Sequence, residues 1–316
     1  EIIAIDGFYH HSNSREQMSI TADINQNIIT IYYEKRHDLS YIIKYIEKDN
    51  DSNDANNRVL HAEKRVNNRT FEEIIKAKDE YIDIDGFYHH SNSREEMSIT
   101  TDINKNIITI YYEKRHDLSY IIKYLEKDND EDDTNNRILH EPKQVNNMTF
   151  EDIVRAEDEY IDIDGFYHHS NSREEMQITT DINRNIITIY YEKRHDLSYI
   201  IKYLEKDNDE DDSNNRILHE AKQVDNMTFE DIVKAQDEYI DIDGFYHHSN
   251  SREEMSITTD INKNIITIYY EKRHDLSYLV NYIDKDFNEV IHDQKRVDNM
   301  TFEDIIMSKD EIIDIV

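Results

Sequence analysis

The chain has 316 residues, no cysteine, and 70 acidic against 37 basic residues, for a net charge of −33. The lack of cysteine excludes disulfides, thiolate metal sites and cysteine nucleophiles. The negative charge argues against nucleic-acid partners, whose phosphates need cationic neutralisation, and against anionic membrane surfaces, and no apolar run is long enough to span a membrane.

The chain is a tandem array. Asp-Gly-Phe-Tyr-His-His-Ser-Asn-Ser-Arg occurs four times, around Gly7, Gly86, Gly165 and Gly244, at a spacing of 79 residues, and these are the only glycines. Residues 80–158 and 159–237 differ at seven of 79 positions, among them Pro142/Ala221 and Asn146/Asp225. Repetition of this kind adds length or valency rather than a single pocket. A unit of this size buries only roughly 60% of its unfolded surface, so each is marginal alone.

Along one period, Leu118–Lys127 is rich in β-branched and aromatic residues and reads as a strand. Residues 128–136 form an acidic turn, and 137–145 return as the second strand of a hairpin. Pro142 places that strand at a sheet edge, since proline cannot donate to a ladder. Thr149-Phe-Glu-Asp152 has the form of a capping box, recurring at Thr70, Thr228 and Thr301. It predicts a helix of about ten residues that runs out near Tyr160, with Phe150, Ile153, Val154 and Glu157 on one stripe. Residues 161–165 alternate apolar and acidic up to Gly165, a short extended piece ending in a turn. A loop with a short strand follows over 170–181. Asn104-Lys105-Asn106 and its equivalents turn the chain, and 185–194 is the clearest strand.

Residue 196 opens the next strand at once, with no flexible linker between. The natural units are therefore 38–116, 117–195 and 196–274, flanked by a partial repeat at 1–37 (the C-terminal part of a unit) and another at 275–316 (the N-terminal part). Beginning and ending inside a repeat, the chain reads as a segment of something longer. A hairpin, a helix and returning strands predict an α+β fold: a tandem array of small β-grasp (ubiquitin-like) domains, each a mixed sheet with one short helix, stacked into an elongated rod.

Asp117-Leu-Ser-Tyr with Tyr-Leu-Glu-Lys-Asp128, Val145-Asn-Asn-Met-Thr-Phe150, Ile163-Asp-Gly-Phe-Tyr167 and Asn185-Ile-Ile-Thr-Ile-Tyr-Tyr-Glu-Lys-Arg194 together resemble the MucBP-like (mucin-binding-protein type) repeats of Gram-positive cell-surface proteins. The resemblance covers each whole unit. It implies a β-grasp fold, tandem arrangement between a signal peptide and a wall anchor, an extracellular location, and mucin or glycan as a partner. It carries over no binding residue. The hairpin departs from the pattern: the last, partial unit has a compact turn at 285–292, and the others carry a loop six residues longer.

The acidic hairpin loops are the candidate metal sites. Asp49, Asp51 and Asn53, then Asp128, Asp130 and Asp132, then Asp207, Asp209 and Asp211 alternate along the chain as hard oxygen ligands for Ca²⁺ do. The EF-hand glycine is absent, and a solvated acidic turn explains the same residues. Ca²⁺ is the one cofactor these residues suggest. The pairs His10/His11, His89/His90, His168/His169 and His247/His248 point to opposite faces of a strand, which disfavours one shared ion. His37, His61 and their equivalents add two more imidazoles per unit. Tyr111, Tyr112, Tyr120 and Tyr124 lie on strands whose alternation puts half of them in the core, the others on the surface or against a neighbouring unit. Asn68, Asn147, Asn226 and Asn299 open N-x-T sequons whose threonine is the helix cap. No phosphate loop, nucleophile elbow or HExxH is present, so no catalysis is expected, and no spacing selects an isopeptide pair. The expected function is a structural segment of an extracellular stalk, adhesin or fibre. The rivals are a multivalent glycan-binding module and a laterally assembled filament whose partners are other copies of the chain.

Overall fold

The computed structural model describes residues 2–48, 56–127, 135–206 and 212–314. The described chain falls into two compact units. One contains Glu1–Tyr124, His140–Glu159 and Asn171–Ile189; the other contains Leu125–Leu139, Tyr160–Ser170 and Tyr190–Val316.

In the first unit, β1 (Phe8–Asn13) pairs antiparallel with β2 (Ile31–Lys35). Then come β3 (Leu39–Glu47), β4 (Val59–Arg69), β5 (Ile74–Lys76), β6 (Phe87–Asn92), β7 (Glu96–Ser98) and β8 (Ile107–Lys114). They form a four-stranded sheet in the order β4-β3-β8-β6 and a two-stranded ribbon, β5-β7. The two central strands run parallel, with Ile42 opposite Ile107 and Tyr45 opposite Ile110. The outer pairs are antiparallel. The ribbon lies on one face of the sheet: Ile75, Ala77, Met97 and Ile99 pack with Tyr41, Ile43, Tyr45, Ile108, Ile110 and Tyr112 in one core.

The same order recurs as β10-β9-β14-β12, built from β9 (Leu118–Glu126), β10 (Ile138–Met148), β12 (Phe166–Asn171) and β14 (Ile186–Lys193), with β11 (Ile153–Arg155) and β13 (Glu175–Gln177) as its ribbon. Pro142 sits on the edge strand β10. In the second unit, β15 (Leu197–Glu205), β16 (Ile217–Met227), β18 (Phe245–Asn250) and β20 (Ile265–Lys272) repeat the sheet, and β17 (Ile232–Lys234) and β19 (Glu254–Ser256) the ribbon. The last strands, β21 (Leu276–Ile283) and β22 (Val290–Met300), form an isolated hairpin.

The α+β β-grasp fold is overturned, because the described residues contain strands and short 3₁₀ turns and no α-helix. The capping-box signal is half real. Thr149 N–H donates to Asp152 Oδ2 at 2.9 Å, as a capping box requires. Glu151, however, is left-handed, with φ +69°, and Asp152 N–H closes a four-residue turn on Thr149 O at 3.1 Å. A positive φ at the third residue of such a turn ends helical propagation. The amides that would climb a helix bond to a strand instead: Glu151 N–H to Ile178 O and Ala156 N–H to Glu174 O, both at 2.9 Å. The residues then alternate as a strand, with Ile153 exposed and Val154 buried.

Candidate functional site: the junction between repeats

The repeated Asp-Gly-Phe-Tyr motif is where one repeat receives the next. Gly86 ends the extended segment at φ +83°. A Cβ built there would lie 2.3 Å from the ring of Phe150, which comes from the following repeat. Only glycine allows both the left-handed turn and the approach of the ring. The ring then meets Phe87 edge to face, with centroids 5.5 Å apart. Phe150 thereby joins the hydrophobic core of the preceding repeat, and Phe71 packs against that core as well. The arrangement recurs where Phe71 covers Gly7, Phe229 covers Gly165 and Phe302 covers Gly244.

The left-handed turn that projects Phe150 also aims Glu151. Arg58 donates to both its carboxylate oxygens, at 2.8 and 3.1 Å. Lys114 sits 3.1 Å away. The Arg58 hydrogen bonds, and then Lys114, hold the Glu151 carboxyl below the usual carboxylate range, and the same contact raises Arg58. Arg137 and Lys193 grip Glu230 in the same way. Arg216 and Lys272 grip Glu303, whose carboxyl is held down to about 2. Thr180 Oγ1, also from the following repeat, donates to Asp85 Oδ1 at 2.8 Å or less, and Thr101–Asp6 and Thr259–Asp164 repeat the bond.

The short connection itself is pinned. Phe150 N–H donates to Arg115 O at 2.8 Å. Arg115 holds Asp117 with two bonds of 3.0 and 2.9 Å and lies over the Tyr88 ring at 5.3 Å. Those bonds, with one from Tyr88, hold the Asp117 carboxyl well below its ordinary range. His37, at the equivalent connection, meets Thr70 Oγ1 at 3.0 Å.

Asp49, Asp51, Asn53, Asp128, Asp130, Asp132, Asp207, Asp209 and Asp211 lie outside the described residues. Among the described residues no three His, Asp or Glu side chains gather as a metal site. The histidine pairs are split by a register break in the strand. His89 stacks on Tyr81 at 4.0 Å and bonds Asn92, whereas His90 bonds Ser91. The tyrosine alternation is corrected: Tyr111, Tyr112, Tyr120 and Tyr124 are all buried. Tyr112 faces the core, and Tyr111, on the other face, lies under Lys48 at 4.7 Å. Inside the core Tyr41 Oη donates to the buried Glu80 at 2.6 Å, and Lys64 meets its other oxygen at 2.6 Å.

Sequence reasoning missed Phe150, Glu151 and Arg58 as one site. Arg58 and Glu151 are 93 residues apart, so no local pattern links them. The one signal was that the four glycines of the chain all precede phenylalanine.

No family model matches the chain, so the MucBP-like resemblance has no counterpart there. No curated protein matches it. Among solved structures it is similar to the pilus adhesin SpaC from Lactobacillus rhamnosus GG in its open conformation, at 9% identity and a TM-score of 0.17, over 79% of this chain and 46% of that one. The chain spans under half the length of that adhesin, and a likeness this slight carries no argument about fold or activity.

Proposed function

We propose that the chain is a structural repeat segment of an extracellular surface stalk or fibre, without enzymatic activity, whose repeats are held to their neighbours by the phenylalanine lock. The observation that carries this reading is that a phenylalanine from the following repeat covers the glycine at each of the four junctions, and at three of them an arginine-clamped glutamate fastens it. Stability in such arrays is a sum of repeat and junction contributions. The test is a series of one, two and three repeats cut at residues 38, 117, 196 and 275. The unfolding midpoint is expected to rise with each added junction. The maximum dimension from small-angle scattering is expected to grow by a constant increment. A midpoint independent of repeat number, or a dimension that stops growing, sinks the reading.

One observation favours a second reading, a multivalent glycan or mucin binder. Tyr239, Tyr246 and His247 line a groove of about 740 Å³ with Asp241, Asp243 and Arg273. Aromatic rings beside carboxylates suit the faces and hydroxyls of a sugar. Against it, Thr259 of the following repeat occupies the equivalent aspartate, Asp164. Titration with mucin glycopeptides separates the two: saturable binding lost in Tyr246→Ala supports the binder, and no binding leaves the stalk.

A further inference from the structure

The sheet order puts the first and last strands of each repeat side by side. β3 opens the repeat 38–116 and β8 closes it, and they are the two central strands of β4-β3-β8-β6. They run parallel, with six residues in register from Ile42 opposite Ile107 to Glu47 opposite Tyr112. β15 and β20 repeat the arrangement over six residues, from Ile200 opposite Ile265 to Glu205 opposite Tyr270.

A chain that enters at the start of one strand and leaves from the end of a parallel neighbour has a fixed response to tension. β3 is drawn toward its beginning and β8 toward its end, in opposite senses along a common axis. The ladder between them is then sheared, and its evenly spaced hydrogen bonds share the load. A pair loaded at one end is peeled instead, one bond at a time. The antiparallel outer strands β4 and β6 lie off this path and carry little until the central pair gives way.

Each loaded end is bonded to its neighbour. Ile42 N–H donates to Asn106 O at 2.9 Å and Lys48 N–H to Tyr112 O at 2.7 Å, bracketing the ladder. The buried Asn106 adds a bond from Nδ2 to Ser40 O at 3.1 Å, where tension enters. The same brackets stand at Ile121–Asn185 and Lys127–Tyr191, and at Ile200–Asn264 and Lys206–Tyr270. The core also opposes sliding, because Tyr41, Ile43 and Tyr45 pack with Ile108, Ile110 and Tyr112. A slip of one residue would turn such side chains to the other face. The ladder re-forms only after two residues, about 6.6 Å of travel. The connection between repeats is short and tied down. Three residues, 115–117, separate β8 from β9. Arg115 N–H donates to Gly86 O at 2.9 Å, and Arg115 O accepts from Phe150 N–H at 2.8 Å.

We propose that each complete repeat is a mechanical clamp: tension along the chain is carried in shear by its paired first and last strands, so the repeat stays folded under loads that would peel the same sheet apart. The source of the tension rests on the stalk reading; the clamp itself does not.

Forced unfolding is governed by the unfolding barrier rather than by equilibrium stability, so the point of attachment tests the clamp. The chain has no cysteine, and an introduced pair takes the two handles of an optical trap selectively. In the full chain, handles at His37→Cys and His116→Cys load the repeat 38–116 in shear. Handles at His37→Cys and Lys105→Cys load the same two strands from one end, since residue 105 precedes β8. The first pair is expected to unfold at a severalfold higher force than the second at the same loading rate, with urea midpoints that agree. Handles at His37→Cys and His274→Cys are expected to give three high-force steps, each lengthening the chain by up to about 280 Å, the extended reach of 79 residues. Equal forces for the two attachments overturn the proposal, as does a force difference that merely follows a difference in urea midpoint. Opening under shear in small reversible steps overturns it too. A stalk without clamps would still pass the repeat-number series, and a clamp would survive the failure of that series.

Discussion

Gly165→Ala isolates the lock in a single methyl group. At φ +83° an alanine costs about 1–2 kcal/mol relative to glycine. The new Cβ would also lie 2.4 Å from the Phe229 ring, far inside ordinary contact distance. Displacing the ring adds about 1–3 kcal/mol, as over-packing does elsewhere. The sum, about 2–5 kcal/mol, is a large share of the ~4–12 kcal/mol that a unit of this length commands. Phe229→Ala alone removes a half-buried ring and should cost about 2 kcal/mol. In the double variant the steric conflict vanishes, because there is no ring to displace. The two costs should therefore fall short of additivity by about 1–3 kcal/mol. Urea unfolding of the full chain, followed by far-ultraviolet circular dichroism, supplies the three differences. Additive costs, or a Gly165→Ala variant as stable as the native chain, would refute the close approach of the ring as the reason for glycine.

The clamped glutamates give a pH signature. Glu151, Glu230 and Glu303 have carboxyls depressed in the folded chain, so their contribution is present above about pH 5 and lost as pH falls toward 2. The melting-temperature gap between the native chain and an Arg58→Met/Arg137→Met/Arg216→Met variant should therefore narrow over that range; a constant or widening gap contradicts the clamp. Arg137→Ala alone should cost about 1 kcal/mol or less in dilute buffer and almost nothing in 1 M salt, because the pair is partly exposed. An undiminished loss in salt would mean that Arg137 acts by packing over Phe166 at 5.7 Å instead. Tyr120→Phe removes a 2.6 Å bond to the buried Glu159 and should cost about 1.5–3 kcal/mol in chemical unfolding. A neutral result would show that Lys143, at 2.5 Å, suffices for that carboxylate.

The strands were legible because their signal is local. Ile186–Lys193 and Leu197–Glu205 are rich in β-branched and aromatic residues, and both lie at the centre of a sheet. The false helix failed for an equally local reason. Thr149 and Asp152 make their capping contact, and nothing in Thr-Phe-Glu-Asp announces that Glu151 will be left-handed. That conformation is unfavourable for glutamate on its own. It is held by Arg58 and Lys114, which come from the preceding repeat, so a contact far along the chain overrides the propensity nearby.

That dependence runs in both directions, and it explains why the motif is written around glycine. The preceding repeat holds Glu151 in the turn, and the turn delivers Phe150 to the preceding repeat's core. Neither step stands without the other: an unclamped glutamate would relax toward the helical region its cap invites, and the ring would leave Gly86. Replacing Glu151 by glycine separates the two. It keeps the left-handed turn without strain and deletes both ion pairs. If the turn is the part that matters, Phe150 stays seated, the repeat unfolds at nearly the native urea midpoint, and salt sensitivity disappears. If the clamp is needed to fix the turn, the extra backbone freedom of glycine releases the ring. The midpoint then drops toward that of Phe150→Ala, which would place the origin of the lock in electrostatics rather than in backbone geometry.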